Sequence, residues 1–195
     1  MLHPSLASFV FLAFTAAYLT IRGHFARRAR SRQKVDNGDA LDRVLIALVG
    51  IGQIVLPLVF VLTPALAAAD RPQPVACTVV GIVDMAIALR LFWRSHADLG
   101  DSWSVTLELN ADEHRLVTDG VYRRIRHPMY TSFLLMGLGQ AFLLANWIAG
   151  PAGLIAVLVL VVVRVPREEA MMLRHFGDAY REYMRRTGAV APPRR

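Results

Sequence analysis

Long apolar runs without charge constrain this chain more than any other feature. No charged residue occurs in residues 1–21, 44–69 or 128–163, and residues 75–89 contain only Asp84. A helix that crosses a bilayer needs roughly 17–25 predominantly apolar residues. The runs therefore predict membrane spans, because a soluble core would be interrupted more often by polar positions. A carboxylate at the depth of Asp84 is costly, so we expect it to pair with Arg90 or another polar group, or to contact substrate.

The longest run, 128–163, has room for two spans. Asn146 and Trp147, followed by Gly150 and Pro151, interrupt it near its middle. An amide next to an indole suits a tight turn at the membrane interface. We therefore predict a helical hairpin here and, with the other runs, five transmembrane helices.

The basic residues predict the orientation of these helices. Seven Lys and Arg residues lie in residues 22–43, six in 90–126 and eight from 164 onward, while Arg71 alone lies elsewhere. With five spans, the three basic regions share one side, which the positive-inside rule makes cytosolic. The N-terminus then faces out, and 1–21 is a retained helix because its basic residues follow it. The net charge of +7 is explained by topology and anionic lipid, so we expect no nucleic-acid partner.

The predicted fold is an all-α integral membrane protein with one integrated domain. Residues 1–95 form three transmembrane helices, a scaffold on the substrate side. Residues 96–195 form a cofactor-binding loop, the helical hairpin and a C-terminal amphipathic helix. The loop, 96–126, is expected to form a lid of short extended pieces, and Pro166 is expected to begin the C-terminal helix after the last span. Cys77 lies alone in an apolar run, so neither a disulfide nor a cysteine-based metal site is expected.

An ordered set of polar and aromatic residues occupies the second half of the chain. It reads His114-x-Leu116-Val117-x-x-Gly120-x-Tyr122, Arg126-His127-Pro128-x-Tyr130, Glu168-Glu169 and Phe176-Gly177-x-x-Tyr180-x-x-Tyr183. This set resembles the isoprenylcysteine carboxyl methyltransferase family, within a wider group that includes phospholipid N-methyltransferases. The resemblance covers about the last hundred residues.

The resemblance implies a helical enzyme without a Rossmann sheet that binds S-adenosylmethionine in a cytosolic pocket. The residues that it implies for the cofactor pocket are His114, Leu116, Val117, Tyr122, His127, Pro128, Tyr130 and Glu168. The family has an arginine that contacts substrate four residues before the matching glutamate, and the corresponding residue is Arg164. Arg164 and Glu169 are the expected catalytic residues, and no metal is expected.

The residue types suit these roles. Pro128 is favoured at a first helical position, where His127 and the free amides of the first turn present donors to an anionic group. Acidic side chains such as Glu168 and Glu169 complement a helix N-terminus, but Glu169 lies on an apolar stripe. A carboxylate there suits contact with the sulfonium, amino group or ribose of the cofactor.

Methyl transfer from a sulfonium needs chiefly alignment of the reactants and exclusion of water. A carboxylate acceptor is already ionised near neutral pH, which leaves its positioning to Arg164. An amine acceptor must lose a proton, and Glu168 or Glu169 then becomes a candidate base.

The leading prediction is methylation of a lipophilic or lipid-modified acceptor, most like an isoprenylcysteine carboxylate. Phospholipid N-methylation, a membrane NADPH-dependent reductase and a membrane adaptor remain alternatives. The preference for arginine over lysine is typical of a GC-rich bacterial genome, so a bacterial inner membrane is expected.

Overall fold

The computed structural model describes residues 5–30, 40–100 and 116–193. These ranges are helical, and the only β pairing within them is in isolated bridges. The helices are α1 (Leu6–Arg30), α2 (Ala40–Gly50), a π-helical turn (Ile51–Val55), α3 (Leu56–Leu62), α4 (Val75–Leu99), α5 (Pro128–Leu143), α6 (Ala149–Phe176) and α7 (Asp178–Arg186), with short 3₁₀ turns at Ala67–Ala69 and Gly120–Arg123.

Four helical segments are long and apolar enough to cross a membrane. They are Leu6–Arg27, Ala40–Leu62, Val75–Leu99 and Ala149–Phe176. The chain is therefore a multi-pass, all-α membrane protein, as its apolar runs predict. Helix α5 has 16 residues, about 24 Å at 1.5 Å per residue, which is short for a full span. The count of five spans stays a prediction.

The predicted turn in the long apolar run is confirmed, because α5 ends at Leu143 and α6 begins at Ala149. Buried Asn146 holds it together. Its side-chain oxygen accepts hydrogen bonds from the amides of Ile148 at 3.0 Å and Ala149 at 2.9 Å. Its amide nitrogen donates to the Leu66 carbonyl, at 2.8 Å. Gly150 and Pro151 lie in the first turn of α6. Backbone amides have no helical acceptor there, so the N–H that a proline lacks is not missed.

Asn146→Ala is expected to lower the free energy of unfolding by about 1–2 kcal/mol, because it removes the side-chain oxygen that accepts from the Ile148 and Ala149 amides at the start of α6 and leaves the buried Ala149 amide without that acceptor. Thermal unfolding in detergent measures this effect. Thr63→Ala is the matched control, because the two hydrogen bonds of the Thr63 hydroxyl, to the Val59 carbonyl and from the Ala65 amide, are both local and exposed. Equal unfolding temperatures for the two variants would contradict the capping role.

Helix α5 lies between α4 and α6 and contacts both extensively. Gly137 permits the approach to α6, since a Cβ at this position would lie 2.6 Å from the Cα of Leu154. The buried Gln140 side chain donates to the carbonyls of Gly52, at 2.8 Å, and Ala149, at 2.7 Å. Gly52 belongs to the π-helical turn, so Gln140 links the hairpin to the second membrane segment.

The expectation that Pro166 begins a separate helix is wrong. Pro166 lies inside α6, which continues to Phe176, and the break comes at Gly177 with φ +53° before α7. A proline inside a membrane helix is tolerated because neighbouring groups compensate for the lost hydrogen bond. The uninterrupted helix places residues four apart, such as Arg164 and Glu168, on one face.

The predicted lid also begins later than expected. Helix α4 continues through Leu99, so His96 is a buried helical residue whose Nδ1 lies 2.9 Å from the Phe92 carbonyl. Residues 101–115 of the predicted lid lie outside the described residues. Asp84 faces Gly139 of α5, and the ion pairs of the described chain do not include the expected pair with Arg90.

Candidate active site

Seven ionisable side chains meet where α2, α5 and α6 approach one another at one end of the bundle. We call this group the charged cluster; it consists of Asp42, Arg126, His127, Arg164, Arg167, Glu168 and Glu169. Carboxylates and cations alternate in it. The loop before α5 supplies two members, α2 supplies one and α6 supplies four.

Glu168 contacts three other predicted site residues. The Tyr130 hydroxyl donates a hydrogen bond to its Oε1. His127 Nδ1 lies 3.4 Å from Oε2, and Arg164 Nε lies 3.5 Å from Oε1. The side chain is 18% exposed, so these interactions are only partly screened by water. The structure thus brings the expected substrate arginine and the expected cofactor residues together around one carboxylate.

Glu169 points to a different set of partners. Its Oε1 accepts a hydrogen bond from Arg126 Nε at 2.8 Å, and Arg126 Nη2 lies at the same distance. His127 Nε2 lies 3.3 Å away. A carboxylate that is paired with a guanidinium in this way is held as an ion. Arg126, which precedes His127 in the sequence motif, is a member of the cluster.

The imidazole of His127 lies between the two glutamates. Burial disfavours its charged form, but hydrogen bonds and charge interactions with Glu168 and Glu169 outweigh burial and raise the pKa of His127 above its usual value. Each ring nitrogen of His127 faces a carboxylate. This arrangement suits a protonated ring, in which both nitrogens are donors.

Glu169→Gln is expected to lower the pKa of His127, since it removes one of the two stabilising charges. The raised pKa means that the stabilisation from charged His127 is complete below about pH 6.5 and is lost as pH rises through the folded-state pKa. Histidine side-chain NMR of the detergent-solubilised protein, assigned with His127→Ala, measures the titration. An unchanged titration in Glu169→Gln would show that Glu169 does not set the charge of the ring.

Arg164 is buried near the cytosolic end that the sequence predicts for α6, with 8% of its surface exposed. Its Nε has no hydrogen-bond partner among the residues that the structure describes, although Glu168 lies at 3.5 Å and Asp42 Oδ1 at 3.7 Å. Asp42 was not identified from the sequence, where it ends a polar connector; in the structure it lies in the first turn of α2. It is 5% exposed and accepts a hydrogen bond from Arg167 Nη1 at 3.2 Å.

The segment after α7 crosses the start of α5. Ile125 and Gly188 form a parallel bridge. The amides of Arg126 and His127 donate to the carbonyls of Gly188 and Ala189, both at 2.9 Å. The Arg126 guanidinium also donates to the Thr187 carbonyl. The tail thus already accepts the hydrogen of the His127 backbone amide, so this amide is not available to an anionic group.

The remaining predicted pocket residues are not members of the charged cluster. Tyr122 is buried, and its hydroxyl donates to the Ser95 carbonyl of α4 at 3.2 Å; burial raises the pKa of Tyr122 above its usual range. Pro128 is buried at the first position of α5. Leu116 and Val117 are half-buried just before the Gly120–Arg123 turn. His114 lies outside the described residues.

Comparison with known proteins agrees with the sequence pattern. Residues 79–174 match the isoprenylcysteine carboxyl methyltransferase family. Protein-S-isoprenylcysteine O-methyltransferase B of Arabidopsis thaliana is 35% identical over 94 residues, which cover 48% of each chain. The Schizosaccharomyces pombe protein-S-isoprenylcysteine O-methyltransferase is 34% identical over 110 residues, 54% of this chain and 46% of the relative. The matched part thus spans about half the length of these relatives.

The fold is also similar to a solved structure. The eukaryotic intramembrane Ras methyltransferase, an isoprenylcysteine carboxyl methyltransferase, aligns with a TM-score of 0.65 over 97% of this chain and 68% of the other, at 21% identity. At that identity the likeness concerns the fold. The sequence match over residues 79–174 and the shared helical fold both support assignment of the chain to the isoprenylcysteine carboxyl methyltransferase family.

Proposed function

We propose that the chain transfers a methyl group from S-adenosylmethionine to the carboxylate of a lipophilic, isoprenylcysteine-like acceptor. The observation that carries the proposal is the buried Arg164 side chain, whose Nε has no hydrogen-bond partner among the described residues and lies at ion-pair distance from Glu168 and Asp42. A buried guanidinium is stable only where its donors are satisfied, and an acceptor carboxylate would supply hydrogen bonds to them. The names of the relatives, protein-S-isoprenylcysteine O-methyltransferases, support this class of acceptor.

The charged cluster suits the proposed cofactor. Glu168 and Glu169 are each less than a fifth exposed and offer negative charge to a cationic ligand. Tyr130 and His127 contact the carboxylate of Glu168 and hold it in one orientation, and in the proposed complex they would contact the same ligand. When bound, S-adenosylmethionine supplies an electrophilic methyl group on a positively charged sulfur. The residues of the chain have to bind and orient it and to exclude water.

The cluster favours a carboxylate acceptor over the amine of a phospholipid. An amine must lose a proton to a base before it attacks. Glu168 already accepts a hydrogen bond from Tyr130 and faces Arg164, while Glu169 is paired with Arg126. Neither glutamate is a free base. A carboxylate acceptor needs no base, because it is ionised at neutral pH, and Arg164 can orient it.

The charged cluster and the three basic regions lie at the ends of the helices that the positive-inside rule assigns to the cytosol. In the proposed orientation the active site faces the cytosol and the N-terminus faces out; the preference for arginine over lysine favours a bacterial inner membrane as the location. Reporter fusions at both termini measure this topology, and single cysteines in a Cys77→Ala background give an independent measurement. An exported C-terminus would contradict the proposed orientation.

The deciding experiment compares ligands for the purified protein in detergent. Calorimetric titration with S-adenosylmethionine, S-adenosylhomocysteine and NADPH is expected to show binding of the first two only. Radiolabelled methyl transfer to N-acetyl-S-farnesylcysteine is then compared with transfer to phosphatidylethanolamine. Transfer to the prenylcysteine alone supports the proposal; transfer to the phospholipid alone assigns N-methylation, and binding of NADPH alone assigns a reductase.

A further inference from the structure

We infer that Asp42 is a positioning residue for Arg164: it holds the guanidinium by charge so that its terminal amino groups face the acceptor. The inference rests on the proposed function for the identity of the acceptor. It gives the N-terminal half of the chain a part in the reaction, although Asp42 lies outside the matched residues 79–174.

The geometry places one carboxylate on each of two helices near the same atom. Asp42 Oδ1 lies 3.7 Å from Arg164 Nε, and Glu168 Oε1 lies 3.5 Å from it. Both distances are ion-pair distances and too long for good hydrogen bonds. Attraction from the two carboxylates holds the Nε edge of the guanidinium in place. The two terminal nitrogens then remain as the donors that bind an acceptor carboxylate through two hydrogen bonds.

Burial makes this attraction effective. Asp42 and Arg164 are both more than nine-tenths buried, so water screens their interaction weakly. Asp42 is itself held, since Arg167 Nη1 donates to its Oδ1 at 3.2 Å. Removing the charge of Asp42 leaves Arg164 with Glu168 as its carboxylate partner among the described residues, so the buried guanidinium is less fully compensated. Of the two carboxylates near Arg164, only Asp42 comes from a different helix, so it alone can fix the guanidinium relative to the N-terminal segments.

The first test observes Arg164 directly and needs no acceptor. The Nε–Hε NMR signal of Arg164 is assigned by its loss in Arg164→Lys, and its hydrogen exchange with solvent is measured in detergent. Asp42→Asn is expected to speed that exchange at least fivefold, while Asp42→Glu stays within twofold of wild type. Asp178→Asn is the matched control, because Asp178 forms an exposed pair with Arg181 on α7. Unchanged exchange in Asp42→Asn overturns the inference whatever the protein methylates.

The second test is a double-mutant cycle in methyl transfer. Asp42→Asn is expected to lower kcat/KM for the prenylcysteine acceptor about tenfold, with the affinity for S-adenosylmethionine within twofold of wild type. In an Arg164→Lys background the same change is expected to cause less than a twofold further loss. Equal losses in both backgrounds, or a matching loss of cofactor affinity, overturn the positioning role. If wild type methylates no prenylcysteine, the proposed function fails, and the exchange measurement still decides the role of Asp42.

Discussion

Glu168→Gln is expected to weaken S-adenosylmethionine binding about 10-fold to 100-fold. The substitution keeps the size of the side chain and an oxygen that can accept from Tyr130, but it removes the charge. A hydrogen bond to a charged, partly buried group contributes about 1.5–3 kcal/mol, and each 1.4 kcal/mol is about tenfold in affinity. Because the Glu168 carboxylate faces both His127 and Arg164, it is the central anion of the cluster.

Calorimetric titration with S-adenosylmethionine and S-adenosylhomocysteine measures this loss. Glu182→Gln is the matched control, since Glu182 forms an exposed pair with Arg185 on α7, away from the charged cluster. Thermal unfolding shows whether each variant remains folded. If folded Glu168→Gln binds both ligands as tightly as wild type does, the cofactor does not use this carboxylate, and the role assigned by resemblance has to be given up.

The sequence predicts the local features of this protein well. Uninterrupted apolar runs identify the membrane helices, and Asn146-Trp147 identifies the turn between α5 and α6. Pro128 marks the start of α5, since a proline suits the first turn of a helix. These features depend on residues within a few positions of each other. The order of the polar motifs identifies the family, and the structure brings Tyr130, His127, Arg164 and Glu168 together.

Contacts between distant segments could not be predicted in the same way. Asp42 lies 122 positions before Arg164, and nothing in its local sequence distinguishes it from an ordinary acidic residue at a helix start. The pairing of Ile125 with Gly188, and the adjacent hydrogen bond from the His127 amide to the Ala189 carbonyl, likewise join segments far apart in the chain. At Pro166 the local sequence was misleading. The preference of proline for the first turn of a helix predicted a helix start, whereas packing in the bundle maintains one continuous helix.

Arg164→Lys is expected to lower kcat/KM for a prenylcysteine acceptor about 10-fold to 100-fold while leaving cofactor affinity and membrane insertion unchanged. Lysine keeps the positive charge beside Asp42 and Glu168. It lacks the planar pair of donors with which a guanidinium binds a carboxylate through two parallel hydrogen bonds. Loss of one charge-assisted hydrogen bond of about 1.5–3 kcal/mol gives a rate loss of this size, because kcat/KM reports the free energy of the transition state relative to free reactants.

Steady-state methyl transfer over a range of acceptor concentrations separates the two roles open to Arg164. Arg174→Lys is the matched control, since Arg174 is an exposed arginine in the last turn of the same helix. An arginine that only anchors the helix at the interface tolerates lysine, because either cation can reach the headgroups. A wild-type rate for Arg164→Lys at every acceptor concentration would leave Arg164 such an anchor. A loss confined to Arg164→Lys identifies its guanidinium as the group that orients the acceptor.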